Sequence, residues 1–177
     1  MINLTVFCSS KDNLDDELHL EIQKFIKLLD VNKFNIVYGG GTCGLMGTVR
    51  NTFIESNGKI ISSNVTKFVE PDIEDDYIFD NINERQRKLT ELGNAYLILP
   101  GGYGTCSEMF EVMTKNDIGE CSKPIFIFNS LNIFDNLINL LNDLKFNGLI
   151  TRDFNKIKVT ISSNPIKLAD IINNYCF

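Results

Sequence analysis

The sequence has no tryptophan, one histidine (His19), four prolines, and five cysteines without a C-x-x-C pair. One histidine and unpaired cysteines exclude the common zinc arrangements, so no metal is expected and the thiols read as reduced. No apolar run approaches the roughly 18 residues that cross a bilayer, and the start, Met-Ile-Asn-Leu-Thr-Val-Phe, lacks the basic leader of a secretory signal. The expectation is a cytoplasmic protein without a membrane partner. Basic residues are also scarce: 17 Lys and Arg stand against 23 Asp and Glu, a net charge of −6. A phosphate-backbone binder needs a basic face to displace counterions, so nucleic acid is not an expected partner.

What is present fits one domain over residues 1–177. Hydrophobic residues make up 44% of the chain, enough at this length to build a core without disulfide or metal staples. The negative charge is local: Glu70, Asp72, Glu74, Asp75, Asp76 and Asp80 lie in a stretch without Lys or Arg, so the rest of the chain sums to zero. That stretch reads as a solvated loop, a rim for any pocket nearby.

Hydrophobic periodicity alternates between strand and helix along the chain. Strands are predicted at Ile2 to Cys8, Phe34 to Tyr38, Lys59 to Val65, Ala95 to Leu99, Pro124 to Phe128 and Ile157 to Ile161. Helices are predicted at Leu14 to Leu29, Leu45 to Ser56, Asn83 to Leu92, Thr105 to Ile118 and Ile133 to Leu144, with a last one opened by Asn164-Pro165. Residues 66 to 82 show no clear period. Such alternation predicts an α/β fold, a Rossmann-like doubly wound parallel sheet with helices on both faces. Ligands of such sheets sit beyond the carboxyl ends of the strands, and two strand-to-helix turns there are glycine-rich.

The first turn, Gly39-Gly40-Gly41-Thr42-Cys43-Gly44, satisfies G-x-G-x-x-G, but no acid follows at the distance that would hold a dinucleotide ribose; Lys59 and Ser62-Ser63-Asn64-Val65 stand there instead. A P-loop lysine is absent as well. The turn can still bring backbone N–H groups to an anion, or it can be a tight connection and nothing more. The second, Pro100-Gly101-Gly102-Tyr103-Gly104-Thr105-Cys106-Ser107-Glu108, adds a hydroxyl and an acid. A carboxylate beside a phosphate cradle repels the phosphate and is free for acid–base chemistry on the rest of the ligand. The same Thr105-x-x-Glu108 spacing is that of a capping box, a purely structural alternative. Upstream lies Arg85-Gln86-Arg87-Lys88, of which the 100° helical step lets one or two residues face a site. Cys106, near a helix start, lacks a histidine to serve as its base.

The paired turns, with Val6-Phe7-Cys8-Ser9-Ser10 before them and Gly119 and Lys123-Pro124 after, resemble the LONELY GUY (LOG) family. Its members are cytokinin riboside 5'-monophosphate phosphoribohydrolases, formerly described as lysine decarboxylases. The resemblance spans nearly the whole chain. It implies cleavage of the N-glycosidic bond of an N6-modified AMP to free base and ribose 5-phosphate, and a homodimer. The family's catalytic Arg and Glu fall on Arg85 and Glu108, and its ligand-contacting Thr on Thr114. Gly40, Gly41, Gly101, Gly102, Tyr103, Gly104 and Thr105 are the implied substrate and phosphate contacts. An upstream acid of the family falls near Glu70. The family's Lys after the Arg is Gln86 here, and its Met is Ile82, which removes one charge from the site.

The chemistry fits these residues independently of the resemblance. Departure of a purine from ribose builds oxocarbenium character, which a carboxylate stabilises or relieves by activating water. No cofactor is expected, since pyridoxal phosphate would need a Schiff-base lysine and none stands out. Two other readings remain: a non-catalytic nucleotide-binding or carrier protein on the same scaffold, and a general AMP nucleosidase.

Overall fold

The computed structural model describes residues 1–150 and 152–177. Among them the chain forms β1 (Ile2–Phe7), α1 (Asp16–Ile26), β2 (Phe34–Tyr38), α2 (Gly44–Glu55), β3 (Lys59–Val65), β4 (Tyr77–Phe79) and α3 (Ile82–Leu92). There follow β5 (Ala95–Ile98), α4 (Tyr103–Asp117), β6 (Ile125–Phe128), α5 (Asp135–Phe146), β7 (Val159–Ser162) and α6 (Pro165–Asn174). The strands make one sheet in the order β4-β3-β2-β1-β5-β6-β7, every pair parallel. This is the expected doubly wound α/β architecture.

Strand residues alternate between two cores, because successive side chains leave a sheet on opposite faces. Leu4, Val6, Ile36, Tyr38, Leu97, Phe126 and Phe128 pack with Ile22 and Phe25 of α1, Val49 and Phe53 of α2, and Leu168 and Ile172 of α6. On the other face Phe7, Val37, Tyr96, Ile98 and Ile127 meet Leu89 of α3, Met109 and Val112 of α4, and Leu141 of α5. With both faces covered, the central strands read as nearly unbroken apolar runs. Local caps set helix starts: Asn81 accepts from the Glu84 amide and Asn164 from the Lys167 amide. No helix among the described residues is long and apolar enough to cross a membrane.

Three expectations change. The aperiodic stretch 66 to 82 contains a 3-10 turn, Thr66–Phe68, and the edge strand β4, three residues too short to show a period. Its acids are not simply solvated. Asp76 accepts from the amide and hydroxyl of Ser62, Asp75 from the amide side chain of Asn64, Asp80 from the Thr66 hydroxyl, and Glu70 from the Thr42 amide and hydroxyl. Asp76 thereby satisfies the amide of Ser62, just before the stretch of β3 that pairs with β4. Helix α4, finally, begins two residues earlier than predicted, at Tyr103, with Gly102 as its cap. Thr105 therefore lies inside the first turn, Thr105-x-x-Glu108 is not a capping box, and Glu108 has no capping duty.

The chain builds β1 to β4 outward on one side and then returns to lay β5 beside β1. The order reverses there, opening a crevice beyond the strand ends. The connections after β1 and β5 meet in it, where the Ser9 amide donates to the Pro100 carbonyl (3.1 Å).

Candidate active site

Arg85 sits one turn into α3 and reaches over the ends of β2 and β3. Its Nε donates to the Ser63 carbonyl (3.0 Å) and its Nη2 to the Gly39 carbonyl (3.1 Å), which leaves Nη1 directed at Glu108 Oε1 (3.4 Å). The two side chains are 11% and 13% exposed, so the pair is largely withdrawn from water. Burial pushes the Glu108 carboxyl up to about 7, with a further rise from the neighbouring Glu111, while the Arg85 guanidinium pulls it down. Burial lowers Arg85 in turn, opposed by Glu108 and Asp75. A carboxyl poised near neutrality exchanges protons readily at physiological pH.

The second glycine turn lies directly before Glu108. A side chain at Gly102 or Gly104 would meet nothing within 4 Å, and Tyr103 between them is 99% exposed. The first amides of α4 have no partner within the helix, and the helix dipole favours an anion at this end. Thr105 is buried, its hydroxyl packed where a Gly101 side chain would be.

The first turn serves the site differently. The Gly39 carbonyl, not an amide, faces Arg85, and Glu70 takes the Thr42 amide. Gly40 adopts φ +83° with Asp75 and Asn64 packed where a side chain would go, and Gly41 follows on the open side against Met46. Glu70 is thus bound to the loop, and the charge of Asp75 acts on Arg85.

The remaining candidates are not brought together with the pair. Thr114 lies on another face of α4 and lines an apolar cavity of about 430 Å³ with Phe110, Met113, Leu141 and Phe154. Arg87 is exposed beside Glu91, and Lys88 lies over the Tyr77 ring, 4.4 Å from its centroid. Gln86 donates from Nε2 to Glu111 Oε2 at 2.5 Å. Cys8, at the end of β1, feels the charges of Glu108 and Arg85, but burial raises its thiol and keeps it neutral. Cys106 stands two residues from Glu108, about 200° around the helix. Sequence reasoning missed the carbonyls of Gly39 and Ser63, since backbone acceptors leave no mark on residue type. It also missed Glu111, for which the three-residue spacing from Glu108 was an available signal.

Comparison with known proteins agrees with the LOG resemblance. A family model described as "Possible lysine decarboxylase" matches residues 41–172. A cytokinin riboside 5'-monophosphate phosphoribohydrolase of Rhodococcoides fascians is 26% identical over 155 residues, 84% of this chain and 78% of that protein. The Arabidopsis thaliana enzyme of the same name, LOG2, is 25% identical over 178 residues, 97% of this chain and 83% of its own. In fold, the chain is similar to the molybdenum cofactor binding protein from Rippkaea orientalis, with a TM-score of 0.64 at 16% identity, covering 97% and 94% of the two chains.

Proposed function

The chain belongs to the family described as possible lysine decarboxylase, and from that premise we propose that it hydrolyses the N-glycosidic bond of a cytokinin riboside 5'-monophosphate, an N6-modified AMP. The products are the free base and ribose 5-phosphate. The observation that carries this reading is the buried Arg85–Glu108 pair beside the open Gly101 to Thr105 turn.

In this reading the 5'-phosphate rests on the free amides at the start of α4, with Gly40 and Gly41 lining the opposite wall, and the ribose is held over Glu108. As the base leaves with the bonding electron pair, positive charge develops on the anomeric carbon. The Glu108 carboxylate stabilises it and takes the proton of the attacking water, while the departing base gains a proton in turn. Arg85 orients Glu108. Three of its N–H groups point at Ser63, Gly39 and Glu108, so two of its five remain for a ligand. Tyr103 is placed to contact the nucleotide from outside. A homodimer, whose partner would cover Thr114, and a cytoplasmic location belong to the same proposal; sedimentation tests the first and cell fractionation the second.

Liquid chromatography of wild type and Arg85→Ala on AMP, isopentenyl-AMP, GMP and CMP tests the activity. Base release is expected from isopentenyl-AMP, with a loss on the order of 10²-fold or more in the variant. Equal turnover by the two proteins would refute the assignment, and a preference for plain AMP would select the general nucleosidase. The carrier reading is favoured by one observation: the Gln86 amide is committed to Glu111 and adds no cation beside Arg85. Tight AMP binding without base release would select it.

A further inference from the structure

Helices α3 and α4 are joined by two parallel cross-links. Arg85 meets Glu108, and one residue further along α3 and three further along α4, Gln86 meets Glu111. Glu111 is the hub of the second link: Oε2 accepts from Gln86 and Oε1 from Lys115 Nζ at 2.7 Å, while the Thr90 hydroxyl, 3.4 Å from Oε1, donates to the Gln86 carbonyl at 2.9 Å. Both of its carboxylate oxygens are thus tied, to residues of both helices, although its side chain is 29% exposed.

We propose that Glu111 is the positioning residue of this site: it clamps α3 to α4 so that Arg85 meets Glu108, and its charge, partly offset by Lys115, acts on Glu108 from the next turn of the helix. The charge balance points the same way. Facing Glu108 are Arg85 from α3, the Cys8 thiol from the end of β1, and Glu111 from its own helix; Asp75 acts on Arg85 from the segment before β4. Residues three apart on a helix hold their Cβ atoms about 5–6 Å from one another, close enough for like charges to interact. Lys115 pairs with Glu111 and offsets its charge beside Glu108, a compensation that Gln86 does not supply.

The inference deepens the proposed activity, and its first test needs no substrate. The Glu108 carboxyl is titrated by 13C NMR in wild type, Glu111→Gln and Lys115→Gln. Glu111→Gln lowers the Glu108 midpoint by about half a unit to one unit, because a nearby negative charge is removed. Lys115→Gln raises it, because the charge that offsets Glu111 is lost. Opposite shifts from two substitutions in one ion pair cannot come from loosened packing alone. An unchanged midpoint in Glu111→Gln, or shifts of the same sign, would overturn the proposal. The pH profile of base release should move in step with the midpoint. Should wild type release no base, the glycosidase reading fails while the titration still decides the role of Glu111.

Discussion

Glu108→Gln separates the cost of burying this carboxyl from its chemical use. In the folded protein the group titrates at about 7, against 4.5 for the free side chain. Between those values the folded state holds a proton that the unfolded chain has released, so stability is fully present below pH 4.5 and falls until about pH 7. At about 1.4 kcal/mol per unit, the whole shift amounts to roughly 3 kcal/mol, most of it lost between pH 5 and pH 8. Glutamine keeps the shape and cannot ionise. Urea unfolding of both proteins at pH 5 and pH 8 should therefore show wild type losing about 2–3 kcal/mol more than the variant over that interval, with all other titrations cancelling. Parallel losses would show that Glu108 is not held protonated by its surroundings, and the poised acid–base group would go with it.

Other perturbations probe the frame around the pair. Gly40→Ala should destabilise by about 1–3 kcal/mol in urea unfolding, since φ is +83° and a Cβ would come within 2.8 Å of the Asn64 Cβ. Phe25→Ala, which removes a fully buried ring stacked 4.5 Å from that of Phe128, should cost about 3–5 kcal/mol by the same assay. Tyr103→Ala should leave stability within about 0.5 kcal/mol of wild type, because the ring is exposed, and raise KM for the nucleotide. A large stability loss there would mean that Tyr103 is structural.

Where the residues carried a period, they also carried the fold. β2 begins and ends where its apolar pattern does, because the strand is buried on both faces; β3 keeps its predicted bounds although Lys59, Ser62, Ser63 and Asn64 are polar. The boundaries that moved are those set by partners elsewhere. α4 starts at Tyr103 because Gly102 turns the chain, and the capping-box spacing of Thr105 and Glu108 is a coincidence of composition. β4 exists because Ser63 to Val65 offer an unpaired edge, which a three-residue segment cannot announce by itself. At the site, Arg85 and Glu108 were legible as residue types in a pattern, and burial then gave Glu108 its altered acidity. The acidic stretch was the least legible feature. Its net charge is plain in the sequence, but which acids find donors depends on where β3 ends.

In the proposed reaction Glu108 stabilises the charge on the anomeric carbon and takes the proton of the attacking water. Incubation of isopentenyl-AMP with wild type and Glu108→Gln, with free base and ribose 5-phosphate quantified over time, tests this role most directly. Wild type should release both in equal amounts, and the variant should be slower by on the order of 10²-fold or more. Release by Glu108→Gln at the wild-type rate would contradict the account.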